Sequence, residues 1–162
     1  NKILNGTKKD DRLKGTNGVD LILGLDGNDL IQGMDGNDCL IGGNGNDRIL
    51  GGNGNDVIFG VDGVDVLHGN KGNDVINGGK GNDRITGNSG EDIINGGSDK
   101  DKLFGNDGKD NLFGNQGNDE LKGGSGNDLL NGGENIDKCD GGHGNNQIIN
   151  CEDVKQDKYE DD

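Results

Sequence analysis

The chain has 162 residues, enough for one domain or one block of repeats, yet 26% are hydrophobic, 2% are aromatic and none is Trp or Pro. A net charge of -15 alongside 36 glycines excludes the basic footprint of a nucleic-acid binder and is, by composition alone, nearer to disordered chains than to globular ones. No apolar run approaches the ~20 residues of a membrane-spanning helix, and no basic-then-apolar leader opens the chain, as expected of a mature form or a fragment.

From Gly6 the chain divides, without insertion or deletion, into sixteen nonapeptides ending at Ile149, with an acidic segment at 150–162 predicted to cap or fray. Slot one is Gly in all sixteen, slot four in thirteen and slot two in seven, and 16 + 13 + 7 accounts for all 36 glycines. Slot six is Asp in fifteen repeats, from Asp11 to Asp137, and slot eight is Leu or Ile in fifteen, with Cys139 the exception. Departures come, in chain order, at Lys9, Asp99 and Asn135 in slot four and at Asn146 in slot six.

Glycine at fixed slots permits positive φ and close backbone approach, as stacked tight loops require. Asn dominates slot five (Asn28, Asn37, Asn46, Asn55, Asn73, Asn82, Asn118, Asn127, Asn145), where its tolerance of left-handed geometry is the expected reason. One aliphatic residue between two variable neighbours fits the period-two alternation of a strand.

A second period, of eighteen, is visible in slot seven. Odd repeats place Arg12, Leu30, Arg48, Val66, Arg84, Lys102, Glu120 and Lys138 there, whereas even repeats place Leu21, Cys39, Val57, Val75, Ile93, Asn111, Leu129 and Gln147. A mostly charged series alternating with a mostly apolar one predicts two separate sheets, each gaining a strand per eighteen residues. Eight turns at about 4.8 Å would make a rod roughly 38 Å long.

The nonapeptide resembles that of the RTX (hemolysin-type) calcium-binding family, G-G-x-G-x-D-x-U-x with U large and apolar, over about nine-tenths of the chain. The resemblance implies an all-β fold: a right-handed parallel β-roll with two nonapeptides per turn. Slots one to six would be loop and slots seven to nine a short strand. It also implies calcium ions sandwiched between successive loops, held by slot-six carboxylates and alternate loop carbonyls.

The residues call for such an ion independently. One aliphatic side chain per nine residues makes a thin core, while stacking sets like carboxylates about one strand spacing apart along both edges. A cation between loops removes that repulsion, and an all-oxygen donor set selects a hard ion. Calcium suits irregular carbonyl cages better than magnesium does. The expected ligand carboxylates are Asp20, Asp29, Asp38, Asp47, Asp56, Asp65, Asp74, Asp83, Asp92, Asp110, Asp119 and Asp128, with Asp11, Asp101 and Asp137 beside the departures. The expected loop glycines are Gly24, Gly33, Gly42, Gly51, Gly60, Gly69, Gly78 and Gly87 of slot one, and Gly27, Gly36, Gly45, Gly54, Gly63, Gly72, Gly81 and Gly90 of slot four. Pairing each repeat with the second one after it gives fourteen sites, nine of them clear of the departing repeats. Nine Ca²⁺ would bring 9 × 2 = 18 positive charges against the net -15.

Other chemistry is thin. His68 and His143 lack the neighbouring Cys or His of a zinc site, and no phosphate loop, EF-hand or G-x-S-x-G elbow occurs. Ser89, Ser98 and Ser125 are read as loop surface, and no enzymatic activity is expected. Cys139 and Cys151 are expected to form a disulfide stapling the C-terminal end, which leaves Cys39 unpaired. Outward slots of even repeats (Leu21, Leu23, Cys39, Ile41, Val57, Phe59, Val75, Ile93) form an apolar stripe expected to carry self-association or a neighbouring domain. The reading is an extracellular or cell-surface calcium-dependent structural or adhesive module, with no nucleic acid among its partners. The alternatives are an accessory block of a larger secreted enzyme or toxin and, less favoured for want of a regular Thr or Asn ladder in slot three, an ice-binding protein.

Overall fold

Slot-eight side chains have no alternative to stacking on one another, since each repeat contributes one. In a computed structural model, which describes residues 2–155, Ile22, Ile31, Leu40 and their successors through Leu130 form one continuous, fully buried ladder. Leu4, Leu13, Ile148 and Cys151 close it at the ends. Two nine-stranded parallel sheets enclose this core. The first runs from strand Lys2–Asn5 through Asp20–Asp26 and Cys39–Asn44 to Gln147–Ile149, and the second from Arg12–Lys14 through Leu30–Asp35 and Arg48–Asn53 to Asp153–Lys155.

The register is eighteen, as in Ile22↔Leu40 of the first sheet and Ile31↔Ile49 of the second. Odd and even repeats therefore occupy different sheets, as the slot-seven series predicts, and the described residues wind through about nine turns rather than eight. The added strands are Lys2–Asn5, ahead of Gly6, and Asp153–Lys155. That last strand falls out of register, pairing Cys139 with Val154 at fifteen residues instead of eighteen. The shortened turn is closed by the Cys139–Cys151 disulfide, as expected, with Cys39 left as the free thiol. Part of the acidic segment at 150–162, residues 156–162, lies outside the described residues.

Two local expectations are corrected. Strands are six residues long, as in Val57–Asp62, so they cover slots seven to nine and continue into slots one to three of the next repeat. Slots four to six alone make the turn. Slot-one glycines lack the Cβ that would otherwise strike the carbonyl eighteen residues on, so the backbone stays in pairing distance beyond the aliphatic residue. Left-handed backbone falls at slots two and four, including non-glycines such as Leu25 (φ 85), Val61 (φ 95), Asp99 (φ 78) and Asn135 (φ 86), and at no slot-five residue.

Slot-five Asn serves a different purpose. Asn55 Oδ1 accepts the backbone N–H of Asn73 at 2.8 Å, and Asn37 Oδ1 accepts that of Asn55 at 2.9 Å. The same bond recurs on the other edge, from Asn46 N–H to Asn28 Oδ1 and from Val64 N–H to Asn46 Oδ1. An amide ladder thus ties each loop to the next. Asn55→Ala removes one such acceptor and should destabilise the roll by about 0.5–1.5 kcal/mol in urea unfolding, while Asn55→Asp, which keeps the acceptor, should lie closer to wild type.

Candidate functional site

Slot six ends the turn, just before the chain re-enters the strand, and its backbone is fully engaged. The Asp29 carbonyl accepts the Arg48 N–H at 2.8 Å, and the Asp29 N–H donates to Asp47 Oδ1 at 2.8 Å. The second bond repeats without a gap from Asp11 to Asp119, each slot-six N–H donating to the carboxylate eighteen residues ahead. Asn146 and Glu152 supply the acceptor for Asp128 and Asp137. One oxygen of every slot-six carboxylate from Asp29 onward is thereby spent on the preceding turn.

The other oxygen is not. Oδ2 of Asp29, Asp38, Asp47, Asp56, Asp65, Asp74, Asp83, Asp92, Asp101, Asp110, Asp119, Asp128 and Asp137 is buried and has no hydrogen-bond partner. Its position is set by slot one. A Cβ built on Gly33 would fall 2.5 Å from both Asp38 Oδ2 and the Gly51 carbonyl oxygen. Gly24, Gly42, Gly51, Gly60 and Gly78 show the same pairing of an Oδ2 with the slot-one carbonyl of the next turn, while Gly69 and Gly87 are approached by their own Asp. Each carboxylate therefore reaches across three turns, with Oδ1 on the turn before and Oδ2 between its own turn and the one after.

Slot-four glycines do something else. Gly36 and Gly54, with φ of 127° and 130°, pack against the slot-four carbonyls of the preceding turn, Gly18 and Gly36. The substitutions Asp99 and Asn135 keep the left-handed turn, so Asp101 and Asp137 carry the same unpartnered oxygen as their neighbours. Sequence reasoning set these repeats apart. At the N-terminal end the series does break: Thr7 holds Asp11 Oδ2 through its N–H and Oγ1 at 2.6 and 2.8 Å. Thr16 holds Asp20 in the same way, and its backbone N–H lowers the Asp20 carboxyl from the ordinary range. No sequence signal other than the two slot-two threonines marked this difference.

Burial, and then the like charges one turn away, raise the carboxyls in mid-rod. Asp47 is pushed to about 6, Asp56 and Asp83 to about 7, and Asp101 to about 8, against backbone N–H bonds that lower them. Among the described residues no three His, Cys, Asp or Glu side chains cluster as a metal site, so an ion held here takes part of its shell from backbone carbonyls. The donors that converge are all oxygen: an unpartnered buried carboxylate and the carbonyl of the next loop. That set fits a hard cation of flexible coordination, and it fits calcium better than magnesium.

A parallel β-roll with an acidic, oxygen-lined ladder on both edges defines a calcium-binding solenoid class of protein. The RTX calcium-binding nonapeptide repeat model matches the chain in overlapping blocks from residues 3–31 through 104–148, and the chain belongs to that family. A comparison with curated proteins finds no significant match.

The raised carboxyls set a pH dependence for the metal-free roll. Unfolded, these groups ionise near 3.8; folded, Asp101 does so at about 8. Between those values the folded chain holds more protons, so its stability is fullest below the unfolded value and falls as pH rises through the folded one. In chelator, lowering pH from about 8 to about 5 should restore β signal in far-UV circular dichroism. A metal-free chain that stays unfolded across that range would contradict the site as described.

Proposed function

We propose that the chain binds a row of Ca²⁺ ions along each edge, between successive turns, and that this binding drives its folding. The single observation that carries the reading is the run of thirteen buried Oδ2 atoms without a partner. Each leaves a buried charged acceptor unsatisfied, at a cost that recurs every nine residues. A divalent cation satisfies two turns at once. Asp29 to Asp137 supply the carboxylates and the slot-one glycine carbonyls share the shell, giving at least nine ions per chain and at most thirteen, one per unpartnered oxygen. Asp11 and Asp20, held by Thr7 and Thr16, serve as the N-terminal end of the ladder. Metal binding free energy then becomes folding free energy. Extracellular calcium modules have dissociation constants of about 10⁻⁴–10⁻³ M, so the module orders in calcium-rich surroundings; the Cys139–Cys151 disulfide supports an extracellular setting.

Far-UV circular dichroism should show the β signal lost in chelator and restored by Ca²⁺ but not by equimolar Mg²⁺. Asp56→Asn is the sharper test. The amide keeps the Oδ1 acceptor but replaces the unpartnered oxygen, so equilibrium dialysis should find one or two fewer ions per chain and the calcium midpoint should rise. In chelator the same variant should regain β signal with less acidification than wild type, because a buried charge has gone.

The module's contact surface, on this reading, is the first sheet. Its outward slots seven and nine carry no charged side chain in nine strands, and Phe59, Val75 and Ile93 are 38–44% exposed. Leu21, Leu23, Cys39, Ile41 and Val57 lie in the same rows. A second copy or a neighbouring domain stacked on it would bury this stripe. Light scattering on the calcium-loaded chain should show a dimer that Val57→Lys with Phe59→Lys abolishes; a monomeric wild type removes self-association from the reading.

A further inference from the structure

The second sheet presents a face of opposite character. All three arginines of the chain, Arg12, Arg48 and Arg84, stand in its slot-seven row. Leu30 and Val66 separate them, so the guanidinium groups recur every second strand, about 9.6 Å apart. From Arg12 to Phe104, slots seven and nine of six consecutive strands hold no acidic residue, in a chain with 31 Asp and Glu. Among the described residues none of the three arginines is in an ion pair, and Arg84 lies over the Phe104 ring at 4.4 Å. Beside the arginine row runs a groove lined by Gln32, Met34, Leu50, Asn70 and Lys71, with the acidic Asp35 at its far side from the arginines.

We propose that this face binds a linear anionic polysaccharide carrying one carboxylate per disaccharide, laid along the rod. Charge complementarity picks a polyanion, and the Arg fork matches a carboxylate through two parallel hydrogen bonds. The spacing of two strands is that of a disaccharide in an extended chain of equatorially linked sugars. Leu30, Val66 and the groove floor of Met34 and Leu50 offer apolar patches to the ring faces between charges. Width decides against other polyanions. The basic rows are about two residues, roughly 7 Å, across, and two of the same strands end in the acidic Asp35 and Asp107. A bilayer or a nucleic-acid duplex is broader than the rows and meets those carboxylates. A single nucleic-acid strand wants a row of free aromatic platforms, and the two rings here make no such row: His68 is half-buried and Phe104 already carries Arg84.

The experiment uses the full chain under conditions where circular dichroism shows the roll folded, so that it is independent of how calcium is held. Hyaluronan oligosaccharides are titrated by calorimetry beside a neutral dextran, a single-stranded oligonucleotide and anionic phospholipid vesicles. The expected result is salt-sensitive binding of hyaluronan alone. Replacing Arg12, Arg48 and Arg84 together by Gln should weaken it at least about tenfold, whereas replacing Lys9, Lys100 and Lys109 by Gln, an equal change in charge on the loops, should leave it intact. Dichroism of each variant verifies folding. The proposal is overturned by wild type that does not bind, by equal loss in both triple variants, by an unaffected arginine variant, or by tighter binding of the oligonucleotide or vesicles.

Discussion

A carboxylate with one satisfied oxygen and one unsatisfied oxygen, repeated at every loop, is the constraint on which the roll depends. The satisfied oxygen is structural: Asp38 Oδ1 holds the Asp20 N–H, and so on along both edges. It is also what buries the side chain and aims its second oxygen at the next loop, where the absence of a Cβ on slot one leaves room for it. Structure and ligand chemistry are therefore the same residue seen from its two oxygens. A protein with a large apolar core could tolerate a few such groups; one aliphatic residue in nine cannot offset thirteen of them. This is why low hydrophobicity, which argues for disorder in most chains, here accompanies a fully regular solenoid.

The two edges are chemically alike and the two faces are not. Loops obey the nine-residue period because both edges need the same carboxylate and glycines. Outward strand positions obey the eighteen-residue period because each face is built by alternate repeats. The result separates three surfaces on a thin rod: acidic edges, an uncharged sheet of Leu, Ile, Val, Phe and Asn, and a sheet whose first six strands are basic or neutral in the outward rows. Leu30 and Val66 between the arginines also spare like charges from standing directly opposite each other on adjacent strands.

Most of this was legible in the sequence because the repeat is unbroken. With no insertion in sixteen nonapeptides, a slot number is a spatial coordinate, and the core ladder, the two sheets and the stacking of Asp29 with Asp47 follow from counting. What escaped was whatever depends on where a hydrogen bond goes. The Asn of slot five looked like a residue chosen for left-handed backbone, whereas Asn37 and Asn55 keep negative φ within the turn and act through their side chains on the neighbouring turn. Leu25 and Val61 adopt the left-handed conformation at slot two, a position whose glycine was common but not constant. Asp101 and Asp137 stand among the expected ligands but outside the nine strongest sites because of their loop neighbours, although Asp and Asn take the slot-four turn nearly as Gly does. The ends were the least legible: Glu152 belongs to no slot, and Thr7 and Thr16 stand in slot two, where nothing in the repeat marks them as donors to Asp11 and Asp20.

Glu152 has a consequence beyond closing one hydrogen bond. The interior of this rod is translationally identical from turn to turn, so any truncated turn is a template for another just like it. Such an open end is the edge on which a second molecule docks in register to extend both sheets into a filament. At the C-terminal end of the second sheet the three-residue shortening, the disulfide and the Glu152 carboxylate under Asp137 destroy the translational match at one step. The last strand is offset from the lattice that precedes it. A layer added on that strand would find the eighteen-residue register already broken.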